Sequence, residues 1–172
     1  MYFLICTFTE AIKLFKTIKV VGVSGVGKTT LIKEFLSSNP EFKTLSYGWF
    51  LEQYGDHADN KWQEAIQQTN GTIIIDEHLE WGDRDFILLY KEERTVVIVL
   101  LIVTPDNLIL RRVSDVSRKR PIDVEGVIKE QEITIERALY IAKELKIPLY
   151  VLYDATIEES LSVLKKAVSV AV

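Results

Sequence analysis

Short apolar runs alternate along the chain with longer stretches in which apolar residues recur every three to four positions. Residues 18–23, 72–75, 95–103 and 148–153 are rich in β-branched or aromatic side chains and predict strands, with a weaker fifth at 43–47. Helical periodicity covers 28–38, 60–69, 106–118, 124–145 and 157–168. The order is strand, helix, strand, helix throughout. Near-continuous apolar strands separated by helices predict a parallel sheet covered on both faces, with ligands at the carboxyl ends of the strands. Thr156 and Glu159 have the spacing of a capping box, and Ile157, Leu161, Leu164 and Val168 then form one core-facing stripe. Val124, Val127, Ile128, Ile135, Ala138, Leu139, Ala142 and Leu145 are expected to do the same on the long helix.

Two apolar runs bear on a membrane. MYFLICTF at the start has no basic region before it and is soon followed by Lys13, Lys16 and Lys19, so it is badly ordered for a signal peptide. Both it and residues 96–103 are far shorter than the roughly 20 residues that span a bilayer. The first belongs to an extension, residues 1–17, in which no chemistry is legible; the second reads as a strand buried on both faces. No membrane association is expected. A chain of 172 residues predicts one domain, here 18–172. Its 48% hydrophobic and 27% charged composition excludes disordered and fibrous classes. The net charge of −4 provides no overall basic field, so nucleic acid is not an expected partner. Cys6 is the single cysteine and cannot form an internal disulfide or a zinc site, which points to a reducing compartment, the cytoplasm.

Directly after the first strand comes Gly22-Val-Ser-Gly-Val-Gly27-Lys28-Thr29, a full GxxxxGK motif followed by Thr, and then a helix. Three of the eight glycines fall in six residues because the backbone has to wrap closely around phosphates, with its amides pointing inward. The motif predicts a three-layer α/β fold of the P-loop NTPase type. Gly22, Ser24, Gly25, Val26, Gly27, Lys28, Thr29 and Thr30 are the expected ATP-binding residues. Lys28 should reach the β- and γ-phosphates and the Thr29 hydroxyl should bind Mg²⁺. Asp76 ends the strand Thr72-Ile-Ile-Ile and is the candidate second Mg²⁺ residue, acting through a water. Glu77 beside it supports a rival reading, an ATP-hydrolysing or nucleotide-switched regulatory protein, because a carboxylate there could orient a water. His78 and His57 lack metal-ligand spacing, so a structural role is expected for His78. Trp49, Trp62 and Trp81 are expected in the core or in a pocket wall.

Four of the seven arginines, Arg111, Arg112, Arg118 and Arg120, lie in one segment after the strand 95–103. Guanidinium groups placed there can stabilise charge spreading over a transferring phosphate, and the segment 111–122 is expected to act as a short lid.

With GVSGVGKTTL at 22–31, Tyr47-Gly48 followed by Leu51-Glu52, IIIDEH at 73–78 and TPDNLILRRVSDVSRKR at 104–120, the chain resembles the nucleoside monophosphate kinases, and within them the archaeal-type adenylate kinases. The resemblance runs from about residue 19 to 168. It implies a five-stranded parallel core in the order 2-3-1-4-5 and transfer of the ATP γ-phosphoryl group to a nucleoside monophosphate or another small acceptor. It also implies adenine near Arg112 and the loop Asp154, Ala155 and Thr156, Arg118 and Arg120 on the transferring phosphate, and Glu52 and Glu77 on the acceptor side. The chain departs from the family in having no arginine between residues 30 and 75, where the acceptor's phosphate is held. Of the lysines there, Lys33 is expected to be badly placed, on the helix that starts at the loop. Arg84 is then the expected acceptor contact, and activity on AMP is expected to be weak.

Overall fold

The structure, a computed structural model, describes residues 15–79, 85–115 and 120–171. Five strands, β1 (Phe15–Val21), β2 (Lys43–Ser46), β3 (Gly71–Glu77), β4 (Thr95–Ile102) and β5 (Leu149–Tyr153), form one sheet. Every neighbouring pair is parallel and the order is 2-3-1-4-5, as the resemblance implies. Among the described residues seven α-helices accompany the strands: α1 (Lys28–Ser38), α2 (Tyr47–Tyr54), α3 (Ala58–Gln68), α4 (Phe86–Glu92), α5 (Pro105–Ser114) and α6 (Val124–Leu145) between them, and α7 (Ile157–Ala171) after the last.

Strand alternation divides the core in two. Ile18, Val20, Ile74, Val97 and Val99 face one way and pack with Leu31 and Phe35 of α1 and Leu164 and Val168 of α7. On the other face Val21, Ile98 and Leu100 meet α4 and α6, while Ile73 and Ile75 meet α2 and α3. Lys19 lies on this second face, fully buried between the two clusters. An unpaired ammonium there would be prohibitively costly, and two carboxylates offset the cost. Its Nζ is 2.9 Å from Glu77 Oε2 and also paired with Glu93, which accepts a hydrogen bond from Trp62 Nε1 at 2.5 Å. Burial acts to lower the Lys19 pKa, but Glu77 and Glu93 outweigh it and hold it above the ordinary 10.5.

Several expected boundaries shift. The first strand starts at Phe15 rather than 18, and α5 ends at Ser114 rather than 118. On α6, Val124, Ile128 and Leu139 prove exposed rather than core-facing. Helices α2 and α4 were not expected. The sequence Tyr47–Tyr54 is aromatic-rich and contains Gly48, a poor intrinsic helix former, but Phe50 packs edge-on against Trp62 at 5.3 Å and tertiary contact prevails. With seven residues α4 is too short for its periodicity to register; the Asp85 side chain caps it by accepting from Leu88 N at 3.0 Å. Among the described residues, no helix is long and apolar enough to cross a membrane.

Candidate functional site

The loop at residues 22–27 leaves β1 under tight steric control. A Cβ on Gly22 would lie 2.7 Å from the Leu101 carbonyl oxygen, so only glycine lets β1 and β4 approach this closely. At the loop's other end Gly27, with φ 107°, enters α1, whose first turn has no side-chain cap. Lys28 Nζ donates to Gly22 O at 2.5 Å and Val23 O at 3.2 Å, and stands 3.8 Å from Asp76 Oδ1 and 3.4 Å from His78 Nε2. The Thr29 hydroxyl donates to Asp76 Oδ2 at 2.6 Å.

Asp76 Oδ1 is buried with no hydrogen-bond partner among the described residues. A carboxylate oxygen of this kind beside a threonine hydroxyl is an oxygen-only donor set, which fits Mg²⁺, a cation that keeps several of its waters. No group of three or more His, Cys, Asp or Glu residues is placed to hold a metal among the described residues. Glu77 is a correction to the sequence expectation. Successive strand residues point to opposite faces, so Asp76 turns toward Thr29 while Glu77 turns into the core beneath, 2% exposed and bonded to Lys19. Its carboxylate is engaged by Lys19 in the core rather than turned toward the loop.

Three cavities adjoin the loop or the first turns of α1. The first, about 390 Å³, lies between the loop and an apolar wall that includes Leu101, Val103, Leu152, Ala155 and Ile157, with Arg111 at its side. The second, about 410 Å³, is lined by Ser24, Gly27, Lys28, Thr29, Thr30, His78 and Arg120. The third, about 630 Å³, opens between α1 and α2 and includes Trp49, Leu51, Glu52 and Asp76 in its wall. Gly25, Gly27 and Arg111 line both the first and second, and Thr29, Lys33 and His78 line both the second and third. The cavities therefore form one series, apolar at one end and cationic in the middle. Lys33 stands at the second junction, which corrects the expectation that it is badly placed. It lies one helical turn beyond Thr29, and residues at this spacing share a face.

Of the arginines, Arg112 is not where the resemblance implies. It is 3% exposed, and its guanidinium is bonded to Ser24 O at 3.0 Å, Pro121 O at 2.8 Å and Glu130 Oε2 at 2.5 Å. It braces the phosphate loop from behind. Arg111, which sequence reasoning assigned no separate role, reaches the cavities instead and donates to Val26 O at 2.7 Å. Arg120 lines the second cavity and donates to Asp115 Oδ2 at 2.6 Å; Arg118, Arg84 and Trp81 lie outside the described residues. Trp62 is in the core, Trp49 is half exposed at a cavity wall, and Glu52 is exposed at the third cavity.

Asp154 follows β5 in the left-handed region, with φ 43°, and accepts from Thr104 N at 3.1 Å and Asn107 Nδ2 at 3.1 Å. The Asn107 hydrogen bond, with the Thr104 bonds and the Arg111 charge, holds its carboxyl below the ordinary 3.8 against the opposing effect of desolvation. Asp154 thus ties β5 to α5 and positions Ala155, rather than lining a cavity. The expected capping box follows, with Thr156 N donating to Glu159 Oε2 at 2.8 Å and Glu159 N to Thr156 Oγ1 at 3.2 Å.

Residues 18–100 match the family described as the viral superfamily 1 RNA helicase core domain. No curated protein matches the chain. Among solved structures the chain is similar to shikimate kinase from Bacteroides thetaiotaomicron, with 19% identity and a TM-score of 0.58 over 90% of this chain and 98% of that one. A gluconokinase from Sinorhizobium meliloti 1021 gives 12% identity and a TM-score of 0.61 over 90% and 91%. Deoxyadenosine kinase from M. mycoides gives 14% and 0.57 over 89% and 98%. At these identities the shared property is the fold, that of the P-loop kinases.

Proposed function

We propose that the protein is an ATP-dependent phosphotransferase acting on a small acceptor. The observation that carries this reading is the cluster of Lys28, Thr29 and Asp76 at the centre of a series of cavities that continues on both sides. A nucleotide that only had to be bound or hydrolysed needs one such cavity; transfer needs a second, on the far side of the phosphate. In this reading the adenine occupies the apolar first cavity beside Arg111 and Ala155, and the phosphates lie against Lys28 and the loop amides. Thr29 and, through water, Asp76 hold Mg²⁺, which neutralises charge developing on the phosphates. Lys33 and Arg120 face the transferring group, Arg118 joins them, and the segment 111–122 closes as a lid. The third cavity holds the acceptor, for which the resemblance suggests a nucleoside monophosphate contacted by Arg84. The working unit is the single domain 18–172, in the cytoplasm.

The helicase-core match over residues 18–100 suits a hydrolysing or switching protein equally well. Against that reading, Glu77 is committed to Lys19 in the core. ADP formation from ATP and Mg²⁺, measured with and without a panel of acceptors in the wild type and in Lys28→Ala, tests the choice. Transfer requires acceptor-dependent ADP that is lost in Lys28→Ala. Lys28-dependent ADP that no acceptor increases would establish hydrolysis instead.

A further inference from the structure

Two carbonyls of the phosphate loop are held by neighbouring side chains of α5, and they are alternate carbonyls. Ser24 O accepts from Arg112 Nε at 3.0 Å, and Val26 O accepts from Arg111 Nη1 at 2.7 Å. The helix is close at both points. A Cβ on Gly25 would lie 3.2 Å from Arg112 Cγ, and one on Gly27 would lie 3.7 Å from Arg111 Nη1. A trans peptide unit is planar, so its C=O and the N–H of the next residue point in opposite directions. Holding Ser24 O on Arg112 therefore turns the Gly25 N–H away from α5, and holding Val26 O on Arg111 turns the Gly27 N–H away from that guanidinium. The amide between them, Val26 N–H, is turned back onto Val23 O at 3.4 Å. Gly25 and Gly27 both line the second cavity, with Lys28 and Thr29.

Arg112 does this from a buried position, with its side chain 1% exposed. Glu130 Oε2 accepts from its Nη2 and Pro121 O from its Nη1. The Glu130 carboxylate offsets the charge of the guanidinium, so what Arg112 supplies to the loop is direction rather than attraction for an anion. A guanidinium is a rigid planar fork, and the bonds at Glu130 and Pro121 fix where its Nε points. A hydrogen bond to a carbonyl also polarises the peptide unit and makes its N–H a stronger donor.

We infer that Arg111 and Arg112 are positioning residues that preset the phosphate loop, Arg112 aiming the Gly25 amide and Arg111 the Gly27 amide at the phosphates of a bound nucleotide. This rests on the nucleotide-binding part of the reading above and adds to it that the loop's affinity for phosphate is set from α5. Glycine places few limits on its own backbone, so without the two guanidinium groups these peptide units would have to be ordered by the ligand, at a cost to affinity. For Arg112, which is buried behind the loop, that cost falls on the phosphates and leaves the contacts of the base unchanged.

The test is equilibrium binding of ADP and of adenosine to the full chain, measured by calorimetry with Mg²⁺ present. Adenosine has the base without the phosphates, so the ratio of the two affinities reports on the loop. Arg112→Ala should raise the Kd for ADP about tenfold or more and that for adenosine less than about twofold. Arg112→Lys should resemble Arg112→Ala, because one ammonium keeps the charge but cannot hold three acceptors in fixed directions. Glu130→Gln, at a partly exposed position, frees the guanidinium without removing it and should raise the Kd for ADP about threefold; it supplies the answer should Arg112→Ala fail to fold. Ile141→Ala, in the core on the opposite face of the sheet from Val23 and Val26, should lower stability and leave the ratio as in the wild type. Full ADP affinity in Arg112→Lys or Glu130→Gln, equal losses for ADP and adenosine in Arg112→Ala, or a changed ratio in Ile141→Ala overturns the inference and leaves phosphotransfer standing. Wild-type protein that binds ADP no more tightly than adenosine overturns both.

Discussion

Arg111 and Arg112 are neighbours in the chain, yet one lines the cavities and the other is buried behind the loop. A helix rotates about 100° per residue, so adjacent side chains cannot share a surface. The two should therefore respond differently to truncation. Arg112→Ala removes three hydrogen bonds and leaves Glu130 without its partner. We expect a stability loss on the order of 2 kcal/mol, visible as a lower urea midpoint. Arg111→Ala should leave the midpoint nearly unchanged and raise the KM for ATP. At Asp76 the buried Oδ1, which accepts no hydrogen bond among the described residues, predicts that Asp76→Asn raises the Mg²⁺ concentration needed for half-maximal activity, whatever the acceptor. The sequence pointed to Thr29 and Asp76, which the structure brings into hydrogen-bond contact, because each sits at a fixed place beside its own strand. It concealed the Arg112 brace, whose partners Ser24 and Glu130 become neighbours only in the folded chain. The withdrawal of Glu77 was in principle legible from strand alternation alone.

The elements place these residues, and their junctions are where they are most easily disturbed. Asp154 joins β5 to the start of α5 through Thr104 and Asn107. Its folded carboxyl titrates below its ordinary 3.8, so the stability it contributes is present above that value and disappears as pH falls through the lower, folded value. Asp154→Ala should melt below the wild type at pH 7, and the gap should narrow progressively below pH 3.8. Arg120, in the segment proposed as a lid, should matter mainly to the transition state. Arg120→Ala is expected to lower kcat about 10²-fold with a smaller change in the KM for ATP, read from steady-state kinetics. Long elements with a clear period, α1 and α6 above all, were read from the sequence with their observed boundaries. Helix α2, which builds the wall of the third cavity, was not, because its aromatic residues become helical through contact with Trp62 rather than through their own preference.

At the scale of the whole molecule, ligand binding and folding are linked. A ligand that binds only the folded chain stabilises it by about 2.7 kcal/mol at 100 times its Kd, which for a protein of this size is roughly 5–11 °C in Tm. ATP with Mg²⁺ should produce a shift of that order in a thermal melt, and Lys28→Ala should abolish it without unfolding the protein. The group of Lys19, Glu77 and Glu93 joins β1, the end of β3 and the turn into β4 beneath the site. Removing one member of a buried ion pair strands a charge in the core, whereas replacing all members with apolar residues is often tolerated. The three positions are consequently expected to drift as a unit. In homologues, an aliphatic residue at position 19 should coincide with uncharged residues at 77 and 93, while the aspartate at 76 persists independently. The second acid of Asp76-Glu77 would then track the ancestry of the core, and only the first would track activity.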